Sequence, residues 1–320
     1  MKDADTHTVH VPVIIIGGGV TGLSAALFLL QHGVIPVLIE RHKTTSIHPR
    51  ARGFDTRTME LYRELQLSEE IREAGKALSP SWGILTGKSL AAVLEKKKPK
   101  EKEGIKFPSQ MKGLESLVAQ SPETGARCTQ DLSEPVLLKA AIARGADIRF
   151  YTELLSFSQD EREVTVVIKD RETETLQMIR ADYMIAADGA GSRIREALQV
   201  STTGKGALGD LLNIYFEADL ADFVRGREFS LLRIDEPGIK GFLSAINNSD
   251  RWTFHLYDDP DKGERVEDFT EARLIPILQQ VIGLPGLNIR IISILPWQPT
   301  VKVVTECSAA GFFWPGMPPM

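Results

Sequence analysis

Three glycines that separate an apolar run from a helical pattern constrain this fold most. The β-branched run at residues 13–16 predicts a buried strand that ends at Gly17-x-Gly19-x-x-Gly22. Residues 23–32 then predict a helix, and residues 36–40 predict a second strand. In such a turn the first glycine allows a sharp bend, the second lets backbone approach a pyrophosphate, and the third lets helix and strand pack closely. The pattern therefore predicts a β-α-β unit that binds a dinucleotide.

An acidic residue stands where a dinucleotide-binding unit needs one. Glu40 ends the second predicted strand, eighteen residues after Gly22. A carboxylate at that place accepts hydrogen bonds from an adenosine ribose. The alternative is a glycine-rich turn in which Glu40 only caps a strand. The fingerprint by itself does not separate FAD from NAD.

Length and charge narrow the class of partner. The 320 residues suggest about two domains, and the net charge of −5 argues against nucleic acid as a partner. The apolar stretch at residues 11–30 contains Pro12 and the glycines, so we expect no transmembrane segment, and the first ten residues lack the basic start of a secretory signal. We expect a cytoplasmic protein whose partners are small molecules or proteins, a homo-oligomer included.

Neither the cysteines nor the histidines predict a metal site. Cys128 and Cys307 share no ligand spacing and form no disulfide framework. Four histidines lack fixed spacing on a regular element, so we expect no metal and solvated loop positions for His7, His10, His42 and His48.

After the first β-α-β unit the pattern changes twice. Helices are predicted from Asp55 or Thr56 to residue 65 and over residues 135–144, and strands over residues 164–169 and 183–187, the latter buried on both faces. The charged run at residues 96–104 predicts a solvated loop outside the first domain, with a nucleic-acid arm as the alternative. A mostly antiparallel sheet is predicted after Gly204, with strands at residues 212–218, 229–234, 241–246, 251–257 and 288–295 and a helix at 269–282.

Three further segments carry motifs. Residues 183–195 read Tyr-Met-Ile-Ala-Ala-Asp188-Gly189-Ala-Gly-Ser192-Arg-Ile-Arg195, an apolar strand that ends in Asp-Gly before a basic helix. Such a turn offers backbone donors and positive charge to phosphates; a surface strand-to-helix turn is the alternative. Residues 48–61 read His-Pro-Arg-Ala-Arg-Gly-Phe-Asp-Thr-Arg-Thr-Met-Glu-Leu, and residues 127–134 read Arg-Cys-Thr-Gln-Asp-Leu-Ser-Glu.

Together with the glycine turn, these segments are similar, in the same order, to the motifs of the flavoprotein aromatic hydroxylases. These are the group A FAD monooxygenases related to p-hydroxybenzoate and phenol hydroxylases, and the resemblance covers about residues 11–305. It implies an α/β fold with a Rossmann-like, GR2-type FAD-binding domain and an inserted, mostly antiparallel β-sheet substrate domain. It assigns residues 1–80 and 118–203 to the FAD-binding domain, and residues 81–117 and 204–302 to the substrate domain.

The resemblance also implies roles for individual residues. It places the pyrophosphate of FAD at the three glycines, its adenosine ribose at Glu40, and its ribityl chain at Gln130. It places Arg52 and Gly53 in a mobile loop beside the flavin, and Arg127 at a second motif position in FAD binding. It places Asp188 and Gly189 in a turn that serves FAD and NADPH, with Ser192 and Arg195 in support.

The implied activity is hydroxylation of a phenol by FAD, NAD(P)H and O2. In that family, reduced FAD forms a C4a-hydroperoxide that an electron-rich phenol attacks, and the protein supplies binding, orientation and water exclusion. A polyketide-derived aromatic is one such phenol. We assign no catalytic residue; five residues of the predicted sheet are candidate substrate contacts, with packing as the simpler interpretation: Tyr215, Arg233, Trp252, His255 and Tyr257.

The last residues depart from the family pattern. Family members carry Gly-Asp-Ala-Ala-His after a strand, whereas residues 309–320 hold three prolines and aromatics without periodicity. Read one base out of frame, this stretch permits Gly-Arg-Val-Phe-Leu-Ala-Gly-Asp-Ala-Ala-His. We therefore interpret residues 303–320 as an aberrant tail from a frameshift, a retained intron or a mispredicted splice site, and expect an unpaired sheet edge near residues 301–305. The alternative function is a truncated, inactive homologue that binds FAD weakly.

Overall fold

Two β-sheets organise the part of the chain that the structure describes. The structure is a computed structural model, and it describes residues 9–96, 120–257 and 268–305, with the backbone alone of residues 308–309 and 312–313. Most of the charged run at residues 96–104 lies outside these residues. The helices, in chain order, are α1 (Val20–Gln31), α2 (Thr56–Glu64), α3 (Ser68–Ala74), α4 (Leu90–Lys96), α5 (Gln130–Ala143), α6 (Arg193–Ala197), α7 (Ala221–Val224) and α8 (Glu271–Ile282).

The larger sheet has eight strands and begins with the predicted β-α-β unit. Its strands are β1 (Val9–Ile16), β2 (Pro36–Ile39), β4 (Asp147–Arg149), β5 (Thr152–Gln159), β6 (Val164–Asp170), β7 (Leu176–Ala186), β15 (Ser308–Ala309) and β16 (Phe312–Phe313). Strand β1 lies parallel to β2 on one side and to β7 on the other, and α1 connects β1 to β2. The predicted unit is thereby confirmed.

Alternate residues of β1 and β2 bury two different cores. Ile14 and Ile39 pack with apolar residues of β6 and β7, whereas Ile15 and Leu38 pack with α1, α2 and α5. Burial on both faces is what a central parallel strand requires, and it explains the continuous apolar runs in the sequence. The carboxyl ends of these strands point toward the glycine turn.

The helices of this layer begin close to their predicted places, with one exception. Asp55 caps α2 by accepting a hydrogen bond from the Thr58 N–H at 2.8 Å, as its position before the helix predicts. Helix α5 begins at Gln130 rather than at Pro135, because the proline lies inside the helix instead of in its first turn. The early start matters because it places Gln130 and Glu134 on one helical turn.

The smaller sheet has six strands in the order β13-β9-β12-β11-β10-β3. They are β3 (Ile84–Gly87), β9 (Leu211–Glu217), β10 (Leu231–Glu236), β11 (Ile239–Ala245), β12 (Arg251–Tyr257) and β13 (Arg290–Trp297). All neighbours pair antiparallel except β3, which is parallel to β10, so the mostly antiparallel prediction is confirmed. One face packs on α4 and α8 around Phe216, Trp252 and Phe254.

Two predictions about strands need correction. The predicted burial of residues 183–187 on both faces fails at Tyr183, which is 50% exposed, whereas Met184 and Ala186 in the same strand β7 are buried. Residues 301–305 pair on one side, because β14 (Thr300–Val304) pairs antiparallel with β8 (Thr202–Ala207) in a two-stranded sheet; among the described residues no strand pairs with the other edge of β14. Strand β8 could not be predicted from the sequence, because its glycines and lysine leave it without alternating apolar residues.

Strand β16 pairs parallel with β7 and antiparallel with β15, so residues 308–309 of β15 lie on this edge of the larger sheet. No helix among the described residues is long and apolar enough to cross a membrane.

Candidate functional site

The first and third glycines of the turn are required by the fold itself. Gly17 has φ +112°, and its N–H donates to the Ile39 carbonyl at 2.9 Å. A Cβ at Gly17 would lie 2.3 Å from the Ala187 carbonyl oxygen, and a Cβ at Gly22 would lie 1.9 Å from the Gly17 carbonyl oxygen. Both distances are far below van der Waals contact, so the turn and the packing of helix on strand need glycine.

Gly19 is different, because neither its backbone nor its neighbours require glycine. It is the N-cap of α1 with φ −77°, a value that any residue adopts. A Cβ there would meet only the Glu134 carboxylate oxygen, at 3.5 Å. The space in front of the α1 N-terminus is therefore open along the Gly19 backbone, which is the room that a pyrophosphate needs. This observation fits a bound dinucleotide.

A buried carboxylate that sequence reasoning did not single out joins three segments at this turn. Glu134 Oε1 accepts hydrogen bonds from the Val20 N–H at 3.2 Å and from Gln130 Nε2 at 2.6 Å. Glu134 Oε2 accepts from the Ser46 N–H at 2.7 Å. The bonds tie α1, α5 and the loop after β2 together. The four-residue spacing from Gln130, which places both on one helix face, is the signal that could have found it.

Glu40 holds the glycine turn from the other side. Its Oε2 accepts from the Gly18 N–H at 2.7 Å, and its Oε1 accepts from the His42 backbone N–H at 2.8 Å. The His42 ring lies 2.7 Å from the same Oε1. Because a carboxylate oxygen accepts more than one hydrogen bond, these contacts leave acceptor capacity for ribose hydroxyls.

The Asp188 turn lies directly against the glycine turn. The Ala187 N–H donates to the Ile16 carbonyl at 2.8 Å, which brings Asp188 beside Gly17. Ser192 caps α6 by accepting from the Arg195 N–H at 3.0 Å. The Arg195 side chain turns back to the Ala190 carbonyl and to Glu196, and so lies away from the glycines.

Arg52 lies in the loop between β2 and α2, and its side chain bonds to the smaller sheet. Its Nη1 donates to the carbonyls of Ser230 at 2.7 Å and Ala245 at 3.1 Å, and its Nη2 donates to the Ser230 hydroxyl at 2.7 Å. Burial, and then the charge of Arg127, lower the pKa of Arg52 to about 10, so the guanidinium stays charged at neutral pH.

The neighbours of Arg52 fix the loop at both ends. The Gln130 N–H donates to the Ala51 carbonyl at 2.9 Å. Gly53 precedes the bridge between Phe54 and Ala126, and the Arg127 guanidinium lies 5.1 Å from the centre of the Trp82 ring. The loop is therefore bonded to α5 and to the smaller sheet.

The histidines predicted in solvated loops do not all lie there. His48 was expected in a solvated loop, but it is only 4% exposed, because the loop packs its ring 5.5 Å from the ring of Tyr215. His10 also differs from expectation, since it lies in β1 and pairs with Asp182 at 3.1 Å. His7 lies outside the described residues. No group of potential ligands within the described ranges could hold a metal.

Burial keeps both imidazoles at this interface uncharged near neutral pH. It lowers the pKa of His255 to about 4, with further contributions from the charges of Arg52 and His48. Burial, and then Arg50, also lower the pKa of His48. We call the group of His48, Arg52, Tyr215 and His255 the inter-sheet site.

Buried polar atoms without partners occur at the Asp188 turn and the inter-sheet site, and also elsewhere, as at Asn248 Oδ1. Buried polar groups are normally hydrogen-bonded, so such atoms are the ones that ligand groups can satisfy. Within the described part of the chain they include Thr129 Oγ1, Asp131 Oδ1, Asp188 Oδ1, both ring nitrogens of His48, Asn213 Oδ1, His255 Nδ1 and Ser293 Oγ. Their chemistry fits a polar cofactor and a ligand with hydroxyl groups.

One of the five candidate substrate contacts, Trp252, lies on a different face of the smaller sheet from the other four. Trp252 is fully buried on the α8 side of the sheet, where its Nε1 donates to the Ala218 carbonyl at 3.0 Å. It is a packing residue. The strand register places the other four on the opposite face, which carries the inter-sheet site: Tyr215, Arg233, His255 and Tyr257.

This geometry defines a dinucleotide-binding α/β protein, and comparison with known proteins gives its family. The chain belongs to the FAD binding domain family, whose model matches residues 10–316. It is 37% identical over 316 residues to a putative polyketide hydroxylase of Streptomyces halstedii, covering 98% of this chain and 55% of that protein. It is 37% identical over 313 residues to the tetracenomycin A2 monooxygenase-dioxygenase of Streptomyces glaucescens, covering 91% of this chain and 54% of that protein.

A solved structure agrees with this assignment. Aklavinone-11 hydroxylase, in a ternary complex with FAD and aklavinone, superposes with a TM-score of 0.81 at 29% identity over 99% of this chain and 57% of that one. The chain thus spans about half the length of the relatives that it matches.

Replacing the second and third glycines should separate fold from ligand. Gly22→Ala should destabilise the protein by about 3 kcal/mol, because its Cβ has no room. Gly19→Ala should change the free energy of unfolding by at most about 1 kcal/mol, yet lower FAD affinity about tenfold or more. Urea unfolding without FAD and fluorescence titration with FAD measure the two effects. Wild-type FAD affinity in Gly19→Ala would contradict the assignment of this space to the pyrophosphate.

Stability should fall in mild acid because of His255. The pKa of His255 in the folded protein is about 4, below its ordinary value of 6.5, so as pH drops through this window the unfolded state takes up the proton first. Between pH 7 and pH 5 this proton uptake should remove about 2 kcal/mol. In His255→Gln, urea unfolding at both pH values should show a correspondingly smaller loss, while the exposed control His10→Gln should behave as wild type.

Proposed function

We propose that this chain is the FAD- and substrate-binding part of a monooxygenase that hydroxylates a phenolic, polyketide-type aromatic with NAD(P)H and O2. Two features of this chain carry the proposal: the open space at Gly19 in front of α1, and the partnerless polar atoms of His48 and His255 at the smaller sheet. The first suits a dinucleotide, and the second lies on a sheet face with aromatic side chains. The names of the relatives and the aklavinone bound to the solved homologue support an aromatic polyketide as substrate.

Residues at and beside the glycine turn would hold FAD. The α1 N-terminus at Gly19 would take the pyrophosphate, Glu40 the adenosine ribose, and Gln130 the ribityl chain. Asp188, with one carboxylate oxygen free of partners, lies beside the turn for a further contact. Bound FAD would supply the activation of oxygen that no side chain provides.

The inter-sheet site would bind and orient the aromatic ring. Arg52 places a buried positive charge there, and the Tyr215 hydroxyl lies 3.3 Å from Arg251 Nη1, which donates to it. Packing of the loop against the sheet excludes water from the reacting ring.

The sheet pairing supports the division of the chain that we propose. Strand β3 lies before the FAD-side helix α5 in sequence but pairs with β10 of the smaller sheet. This agrees with substrate-domain segments at residues 81–117 and 204–302, and FAD-domain segments at residues 1–80 and 118–203. The use of NAD(P)H is part of the proposal through the Asp188–Gly189 turn.

Removing the Glu40 charge should weaken FAD binding. Glu40→Gln keeps an acceptor for the Gly18 N–H but loses the charge-assisted bond to ribose, so FAD affinity should fall by about 1–3 kcal/mol. The exposed control Glu73→Gln should leave affinity unchanged. FAD absorbance after desalting gives the occupancy. Equal occupancy in all three proteins would remove Glu40 from the site.

The hydroxylase activity has a direct test. The FAD-loaded chain, with NADH or NADPH and 1-naphthol as the phenol, should incorporate one atom of labelled molecular oxygen into the product. Mass spectrometry of the product detects the label. Hydride consumption that yields only peroxide, or label that arrives from water, would contradict the proposed function and favour the inactive homologue.

A further inference from the structure

The register of the smaller sheet arranges its ligand-facing side chains in three rows. The inner row holds Tyr215, Thr253 and Ser293, and Tyr215 contacts His48 of the loop. The middle row holds Arg233, Phe242, His255, Asn213 and Leu295. The outer row holds Leu211, Tyr257 and Trp297. Because adjacent rows are two residues apart along each strand, they are separated by about 7 Å.

Aromatic rings connect the outer row to the middle row. The Phe242 ring stacks on the His255 ring with centroids 4.3 Å apart, and the Trp297 ring meets His255 edge-on at 5.6 Å. Tyr257 lies 6.2 Å from Phe242. We call these four residues the aromatic wall. Tyr257 and Trp297 are 51% and 40% exposed, so the wall starts in solvent and ends at a half-buried imidazole.

Two polar atoms without partners lie side by side where the wall ends. His255 and Asn213 are direct cross-strand partners, so their Cβ atoms are about 5 Å apart. Among the described residues, neither His255 Nδ1 nor Asn213 Oδ1 has a hydrogen-bond partner. Leaving such atoms unsatisfied is costly, and apolar residues would fit a packing role on this face without that cost.

The chemistry of the pair selects a donor. An amide oxygen accepts hydrogen bonds, and the tautomer of the uncharged imidazole that carries its proton on Nε2 offers a lone pair at Nδ1. Arg52 is close enough to His255 to disfavour a positive charge on the ring, and it disfavours a cationic ligand for the same reason. A neutral hydroxyl on a flat ring satisfies all of these conditions.

We propose that His255 and Asn213 form a hydroxyl-recognition pair. An aromatic ligand enters along the aromatic wall, packs against His255 and donates a ring O–H that His255 Nδ1 and Asn213 Oδ1 share in one three-centre hydrogen bond. The pair thereby selects phenols over rings that lack a donor, and it fixes which edge of the ring faces the inner row. The inference deepens the proposed function, on which it rests for the identity of the ligand as substrate.

Matched ligands test the pair without any turnover. The probes are 1-naphthol and 1-methoxynaphthalene, which share a ring system but differ in the hydroxyl donor. Dissociation constants are measured by equilibrium dialysis against the FAD-loaded chain with no NAD(P)H present. The wild type should bind 1-naphthol about tenfold more tightly, since one hydrogen bond of ordinary strength separates the probes.

The variants divide recognition from packing. His255→Phe should bring the two dissociation constants within about twofold of each other while leaving the affinity for 1-methoxynaphthalene unchanged, because a ring still stacks on Phe242. His255→Gln, which keeps an acceptor, should retain most of the preference, and Asn213→Leu should lose part of it. The control His10→Phe should match the wild type. Circular dichroism and FAD occupancy confirm that each variant is folded.

Three results would overturn the inference. They are an unchanged preference in His255→Phe, no preference in the wild type, and no binding of either probe. If His255→Phe does not fold, an unchanged preference in Asn213→Leu overturns it as well. A naphthol preference without hydroxylation would leave the pair standing and remove the proposed function, whereas hydroxylation without a preference would do the reverse.

Discussion

The half-buried guanidinium of Arg52 joins the loop between β2 and α2 to the smaller sheet. It donates to two main-chain carbonyls and one hydroxyl of the smaller sheet, with no carboxylate among these acceptors. The charge is therefore solvated by the protein but not neutralised. Its field reaches His255 and helps to keep that ring uncharged. One side chain thus both joins the sheets and sets the electrostatics of the surface between them.

Much of the architecture could be predicted because it is encoded locally. The strand, glycine turn and helix at residues 13–32 predict the first β-α-β unit. The strands and helix predicted after residue 210 begin and end within two residues of their predicted bounds. Strand β8 and the burial of His48 could not be predicted in this way. Both depend on partners more than 90 residues away, β14 for the strand and Tyr215 for the ring, and local patterns do not contain such pairings.

The candidate site shows the same limit at the level of single residues. Gly17, Gly19 and Gly22 form one motif, yet the fold requires only the first and third, and the reason appears only when the neighbouring backbone is known. Glu134 was visible as part of a motif, but its bonds to α1 and to Ser46 span 114 and 88 residues. A sequence pattern therefore names the turn, whereas the groups that hold it become visible only in three dimensions.

Because of the position of β3 and α4, the two sheets are not separate units of folding or of evolution. These elements belong to the smaller sheet, yet the chain returns afterwards to the larger sheet for α5 to β7 before it supplies β9 to β13. The sheets are therefore interleaved along the chain. No single cut separates them, and neither could be exchanged by joining genes end to end. The smaller sheet also stays incomplete until its last strand, β13, has left the ribosome, and the larger sheet gains β15 and β16 only after that. Neither sheet is therefore complete before nearly all of these strands have been synthesised.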